Sequence, residues 1–157
     1  MNRNNWNYKI TNMTTKPKNL LISIHPKPIK KIISGSKDIE IRKTKPNIKK
    51  GDNVWGYATR PESSLKVKFE CGGVIECEKS NFWLEYGSRI GITKDEFESY
   101  LSGKMMVYGI IVSNLTVFDV SLVALKQIPA FEYFQPPQGF YYLSDDQISE
   151  LNKYLKA

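Results

Sequence analysis

The sequence predicts an α+β fold in one domain: five or six short strands with two or three helices, an assortment that suits a small bent β-barrel with helices packed on its openings. Three observations predict it. Short apolar or alternating runs recur between breaks rich in Gly, Pro and Asn, as strands in a small sheet require. Two capping signatures, Thr93 with Glu96 and Ser144 with Gln147, mark helix starts in the second half of the chain. The long run Leu65 to Cys77 is broken by Gly72-Gly73, where a bulge or a barrel corner can form.

Residues 1–18 show no period and read as a mobile extension, with Trp6 or Tyr8 as an anchor; residues 19–157 read as the domain. Asn19 to Ile24 is the first strand. Pro26 or Pro28 opens a helix, where a missing amide costs little. Ile29, Ile32 and Ile33 form its apolar face, with Lys27, Lys30 and Lys31 off that face. Gly35 ends the helix in a left-handed conformation. In Ile39 to Lys43 the isoleucines alternate with Glu40 and Arg42, so a strand here sends Ile39 and Ile41 to one side and the charged pair to the other.

After a loop containing Pro46, the turn Lys50-Gly51-Asp52 opens a strand from Asn53 to Ala58, and Arg60 to Ser64 lead into the long strand. Phe82 to Tyr86 form a helical turn ended by Gly87. The helix begun at Thr93 buries Phe97, Tyr100 and Leu101 and stops at Gly103. Val107 to Val112 is a central strand that Leu115 to Phe118 continue after a break. Phe140 to Leu143 is the closing strand, and the last helix turns Ile148, Leu151 and Leu155 inward. Val107, Ile110, Val112, Phe69 and Cys71 are expected to share one barrel core.

Composition narrows the function classes. The 157 residues are 41% hydrophobic and 25% charged, ordinary values for a globular domain. No apolar run reaches the roughly 18 residues of a membrane span, and the Asn-rich start carries no hydrophobic core of a signal peptide. A soluble, cytoplasmic, monomeric protein is the expectation. The net charge of +7 is unevenly placed: residues 1–50 carry a balance of +11 and residues 51–157 one of −4. A codon bias toward Lys explains the number of lysines but not their one-sided placement. A positive surface attracts phosphate, so RNA or a nucleotide-like ligand is the expected partner. Cys71 and Cys77, with a single His in the chain, do not make the four ligands of a zinc site. Cys71 shares a strand face with Val67 and Phe69 and reads as a small buried hydrophobe. No metal or cofactor is expected.

Lys37, Glu40 and Arg42 place ionisable groups of both signs at a helix-to-strand corner. Such a run is commonly a solvated face, but it also suits recognition of a phosphate or carboxylate by Arg42 and Lys37, with Glu40 pairing to orient Arg42. His25, just after the first strand, is either a local hydrogen-bonding residue or a ligand contact. Trp55 and Tyr57 share a strand face and are either core residues or a stacking platform for bases. Pro136-Pro137-Gln138 is a rigid loop that brings the Gln138 amide to a base edge or simply fixes the entry of the last strand.

Several segments in order resemble an ASCH domain, which has a PUA-like fold. They are Leu20-Leu21-Ile22-Ser23-Ile24-His25-Pro26, Ile32-Ile33-Ser34-Gly35-Ser36-Lys37, Ile39-Glu40-Ile41-Arg42-Lys43-Thr44-Lys45-Pro46, Val54-Trp55-Gly56-Tyr57-Ala58-Thr59, Tyr100-Leu101-Ser102-Gly103-Lys104 before Tyr108-Gly109, and Pro136-Pro137-Gln138-Gly139-Phe140. The resemblance spans Leu20 to Leu143 and implies a ligand cleft between the first helix and the following strand, at Lys37, Glu40 and Arg42. Some small ASCH proteins are amidohydrolases of N4-acylated cytidine with a Lys, Thr and Glu set. Here Lys37 matches the Lys, Glu40 stands in the Thr position, and Arg89 and Ile90 stand where the second acid falls. In a hydrolase of this kind Lys37 and Glu40 would be the nucleophile or base and the acid. Ribonuclease activity is also associated with the family, and this chain holds no His pair for it.

Overall fold

The computed structural model describes residues 16–157; the expected extension and its anchors Trp6 and Tyr8 lie outside the described residues up to residue 15. The strands are β1 (Asn19–Ile24), β2 (Ile39–Arg42), β3 (Asn53–Ala58), β4 (Ser64–Glu78), β5 (Met106–Ser121) and β6 (Phe140–Tyr142). The helices among the described residues are α1 (Pro26–Ser34), α2 (Lys79–Tyr86), α3 (Lys94–Tyr100), α4 (Leu122–Lys126) and α5 (Asp145–Lys156), with 3-10 turns at Gly87–Arg89 and Pro129–Phe131. The six strands form one mixed sheet in the order β2-β5-β4-β3-β1-β6.

The sheet is not closed into the expected barrel. β2 and β6, four and three residues long, end the sheet on opposite sides and do not pair with each other. Side chains span the gap instead. Arg42 Nη2 donates to the Gly139 carbonyl at 3.3 Å, and the Tyr142 hydroxyl donates to the Asn47 carbonyl at 2.9 Å. The curl that brings these edges near each other is built into β4 and β5, whose pairing shifts register at Leu65/Val67, Lys68/Glu70 and Cys71/Val74. The last shift is the predicted Gly72-Gly73 corner. Gly73 adopts φ +133°, a conformation open to glycine at little cost.

The expected single core is three. Leu20, Ile22 and Ile24 of β1 join Ile29 and Ile32 of α1 with Phe69, Cys71 and Ile110. Leu21, Trp55 and Tyr57, on the opposite faces of β1 and β3, pack under Leu125, Phe131, Phe134 and Leu151. Ile39, Ile41 and Val107 form the third core with Phe82, Phe97 and Leu101. Val107 therefore lies apart from Phe69, Cys71 and Ile110, and Val112 packs only at the margin of their core. Long strands that change register serve different layers along their length, which divides β5 among all three cores: Ile110 lies in the first, Val120 in the second and Val107 in the third.

The helix ends follow the sequence. Gly35 closes α1 with φ 85°, and both predicted capping boxes form. Two elements differ. β5 runs unbroken through Ser121, and α4 with the following 3-10 turn covers the sheet where no helix was foreseen. Ile33 and Tyr100, expected inside, are 39% and 37% exposed. No described helix is long and apolar enough to cross a membrane.

Candidate ligand site at the open seam

A cavity of about 400 Å³ opens where the two sheet edges face each other. That is within the range of small-molecule sites. Its walls are the end of β1, the start of α1, β2, the loop before α3, and the segment before β6. It gathers His25, Lys37, Glu40, Arg42 and Gln138 from the sequence-derived candidates, and adds Tyr100 and Glu96 from α3.

The floor is a chain of charges. Lys37 is 3% exposed and Glu40 6%. Lys37 Nζ donates to the Ile39 carbonyl at 2.7 Å and the Ile90 carbonyl at 3.0 Å, and lies 3.3 Å from Glu40 Oε1. An ammonium has three protons to donate, and three acceptors surround this one. Glu40 Oε2 in turn accepts from Arg42 Nη1 at 3.1 Å. Each carboxylate oxygen thus meets one cation, which leaves one net positive charge in the group. Arg42 uses only Nη1 and Nη2 contacts of its five N–H donors, so it is the member with capacity to spare. Lys37 and Glu40 hold it in place.

The alternation of β2 explains this placement. Ile39 and Ile41 anchor the strand in the third core, so Glu40 and Arg42 project to the other side. At the rim, the Tyr100 hydroxyl lies 3.5 Å from the Ile41 carbonyl, and Lys43 Nζ sits 4.6 Å above the Tyr100 ring. Burial raises the Tyr100 phenol above its ordinary pKa, and the Arg42 charge offsets part of that rise. His25 Nδ1 is 3.2 Å from the Thr59 hydroxyl, which fixes the ring, and Nε2 has no hydrogen-bond partner among the described residues. Glu96 Oε1 accepts from the Thr93 amide at 3.0 Å, and that bond lowers its pKa.

Trp55 and Tyr57 are a correction. They are 0% and 2% exposed, inside the second core, and do not line the cavity. Trp55 Nε1 donates to Asn19 Oδ1 at 3.0 Å, so its polar edge is satisfied internally. The covering layer of α4, the 3-10 turn and α5 turns that strand face into core. Tyr100 and Glu96 were missed as cavity residues because one was assigned to the core and the other to the helix cap. Among the described residues, no group of three or more His, Cys, Asp or Glu is placed to hold a metal.

The open six-stranded sheet with its flanking helices matches ASCH structures, and the chain is an ASCH-domain protein. Residues 20–134 match the family described as "Domain of unknown function (DUF365)", and the chain belongs to that family. It is 27% identical over 135 residues to a Zymomonas mobilis protein named ASCH domain-containing ribonuclease, across 85% of this chain and 90% of that one. The crystal structure of the ASCH protein from Zymomonas mobilis superposes with a TM-score of 0.80 at 26% identity, covering 87% of this chain and 94% of the other. A hypothetical protein from Leishmania major shares the fold, with a TM-score of 0.57 at 10% identity over 90% of this chain and 96% of that one.

Proposed function

We propose that this protein binds RNA by taking one nucleotide unit into the seam cavity, with Arg42 contacting its anionic group. The observation that supports this most is the anchored guanidinium: Glu40 and Gly139 hold it at the cavity floor with donors left over. A planar fork held in this way suits the paired oxygens of a phosphate. Gln138, His25 and the Tyr100 rim supply neutral polar and aromatic surface for the rest of the nucleotide. The relative named a ribonuclease favours RNA over other anions.

The hydrolase reading on an acylated nucleoside draws less support. It needs Lys37 as nucleophile or base, and the three acceptors around Lys37 Nζ engage all three of its protons and hold it as a buried ammonium. Cleavage of RNA is a second reading, favoured by the relative's name and by His25, whose ring is oriented by Thr59 as a general base is oriented by its partner.

The test is direct binding of short RNA and of single nucleotides to the wild type and Arg42→Ala. Affinity should drop at least tenfold in the variant, a loss of the order expected for a charge-assisted contact. Equal affinity in the two proteins would overturn the reading. Acetate released from N4-acetylcytidine and lost in Lys37→Ala would establish the hydrolase instead. Cleavage of RNA lost in His25→Gln with binding retained would establish the nuclease.

A further inference from the structure

Beside the seam cavity lies a second hollow of about 440 Å³ that shares Ile92 and Glu96 with it. Its walls are the exposed side of α1, with Lys27 and Lys31, and the loop Gly87 to Thr93. The loop is firmly held. Arg89 makes two bonds to the Asp38 carboxylate, at 2.8 and 3.1 Å, and the Arg89 carbonyl accepts from the Asp38 amide at 3.0 Å.

What the loop presents follows from where its carbonyls go. The Ile90 carbonyl accepts from Lys37 Nζ at 3.0 Å, and the Gly91 carbonyl accepts from Lys31 Nζ. A trans peptide points its N–H opposite its C=O. Two lysines that draw two successive carbonyls toward themselves therefore turn the Gly91 and Ile92 amides the other way. Neither amide donates a hydrogen bond among the described residues. Ile90 has φ −100° and ψ −5°, and Gly91 has φ +72°. A right-handed residue followed by a left-handed one is the backbone form in which successive N–H groups converge on an anion. Gly91 also fits closely, since a Cβ there would lie 3.0 Å from that of Lys37.

The surrounding charge agrees. Lys27 and Lys31 both lower the Glu96 pKa through space, so two cations and one carboxylate border the hollow. Glu96 is the opposing group, and its Oε1 is engaged by the Thr93 amide.

We infer that this hollow is a phosphate subsite for the RNA strand whose neighbouring nucleotide occupies the seam cavity. The inference rests on the nucleotide reading of the seam, and it makes the preferred ligand a strand of two or more nucleotides rather than a mononucleotide. Gly91 and Ile92 amides and Lys27 take the phosphodiester, and the shared wall at Ile92 carries the strand from one hollow to the other.

The experiment compares a nucleoside monophosphate with a tetranucleotide RNA on wild type, Lys27→Gln, Glu96→Gln and Arg42→Ala, with the Gly91 and Ile92 amides followed by NMR. The tetranucleotide should bind roughly tenfold tighter than the mononucleotide, the increment of one charge-assisted contact, and should shift both amides. Lys27→Gln should remove most of that advantage while leaving mononucleotide affinity unchanged. Its salt slope for the tetranucleotide should fall by about 0.7, the value for one phosphate contact on a single strand. Glu96→Gln should act in the opposite sense, strengthening tetranucleotide binding, a result that damage to the fold does not produce. Arg42-dependent mononucleotide binding that a longer strand does not improve, with both amides unmoved, overturns the second subsite alone. Absence of Arg42-dependent binding by any nucleotide overturns the seam reading and this inference together.

Discussion

β4 and β5 meet along nearly their whole length through main-chain pairs, from Ser64 opposite Ser121 to Glu78 opposite Met106. β2 and β6 approach each other too, but no ladder joins them, and among the described residues the side chains of Arg42 and Tyr142 bond across the gap. The first join consumes its amides and carbonyls and buries apolar residues on its faces. The second leaves space, an anchored cation and unspent donors. Closing a sheet with side chains rather than with a ladder is what leaves a cavity, and on the proposed function the same difference separates residues that hold the fold from residues that face a ligand.

The largest effect should come from breaking the charge chain under the seam. Glu40→Ala leaves Lys37 buried without its carboxylate and should cost about 3–5 kcal/mol in chemical denaturation, the usual penalty for stranding a buried charge. The double variant Lys37→Met with Glu40→Leu should recover most of that loss and still bind no nucleotide. If Glu40→Ala unfolds at the wild-type midpoint, the seam is not held by its ion pairs.

On the closed side, Trp55→Phe should cost about 1–2 kcal/mol through the lost hydrogen bond to Asn19 and lost packing. It should leave seam affinity unchanged. A change in nucleotide affinity without a change in stability would show that the two regions are less separate than their packing indicates.

Thr93→Ala removes the cap of α3 and should lower stability by about 1 kcal/mol. Because the same cap engages Glu96, the variant should also alter binding modestly at the seam side, which titration calorimetry can resolve.

The smallest effect is a pH dependence on the closed side. Burial pushes the Tyr141 phenol from 10.0 up to about 12. Between those values the folded protein holds a proton that the unfolded chain releases, so its contribution is complete below pH 10 and is lost as pH rises toward 12. Thermal melts over that range should fall more steeply for wild type than for Tyr141→Phe. Parallel curves would remove Tyr141 from the account of alkaline unfolding.

The legible parts of the fold were those decided locally. β1 and β3 stand where the apolar runs placed them, Gly35 and the two capping boxes mark helix ends, and Gly72-Gly73 marks the bend. Barrel closure was not legible, because it depends on how far two short edge strands lie from each other after the sheet has curled. The α4 region carried a usable signal that was overlooked. Leu122, Leu125, Ile128, Phe131 and Phe134 recur every third residue after the Ser121 cap. That omission left the face of Trp55 and Tyr57 without a visible cover, so stacking on bases remained an equal reading there. For the cavity, alternation in Ile39 to Arg42 was enough to place Glu40 and Arg42 together. The three acceptors around Lys37 were not, since Ile90 comes from 53 residues further along the chain.

The unpaired margin of β2 has one more consequence. A bare strand edge is a template on which another chain can add itself, and proteins that keep one must defend it. β2 is only four residues long, Arg42 and the exposed Lys43 sit at its end, and Pro46 follows soon after, a residue that cannot donate to a ladder. The guanidinium that faces the cavity therefore also stands guard over an edge, and the gap beside it is kept unattractive to a stray strand.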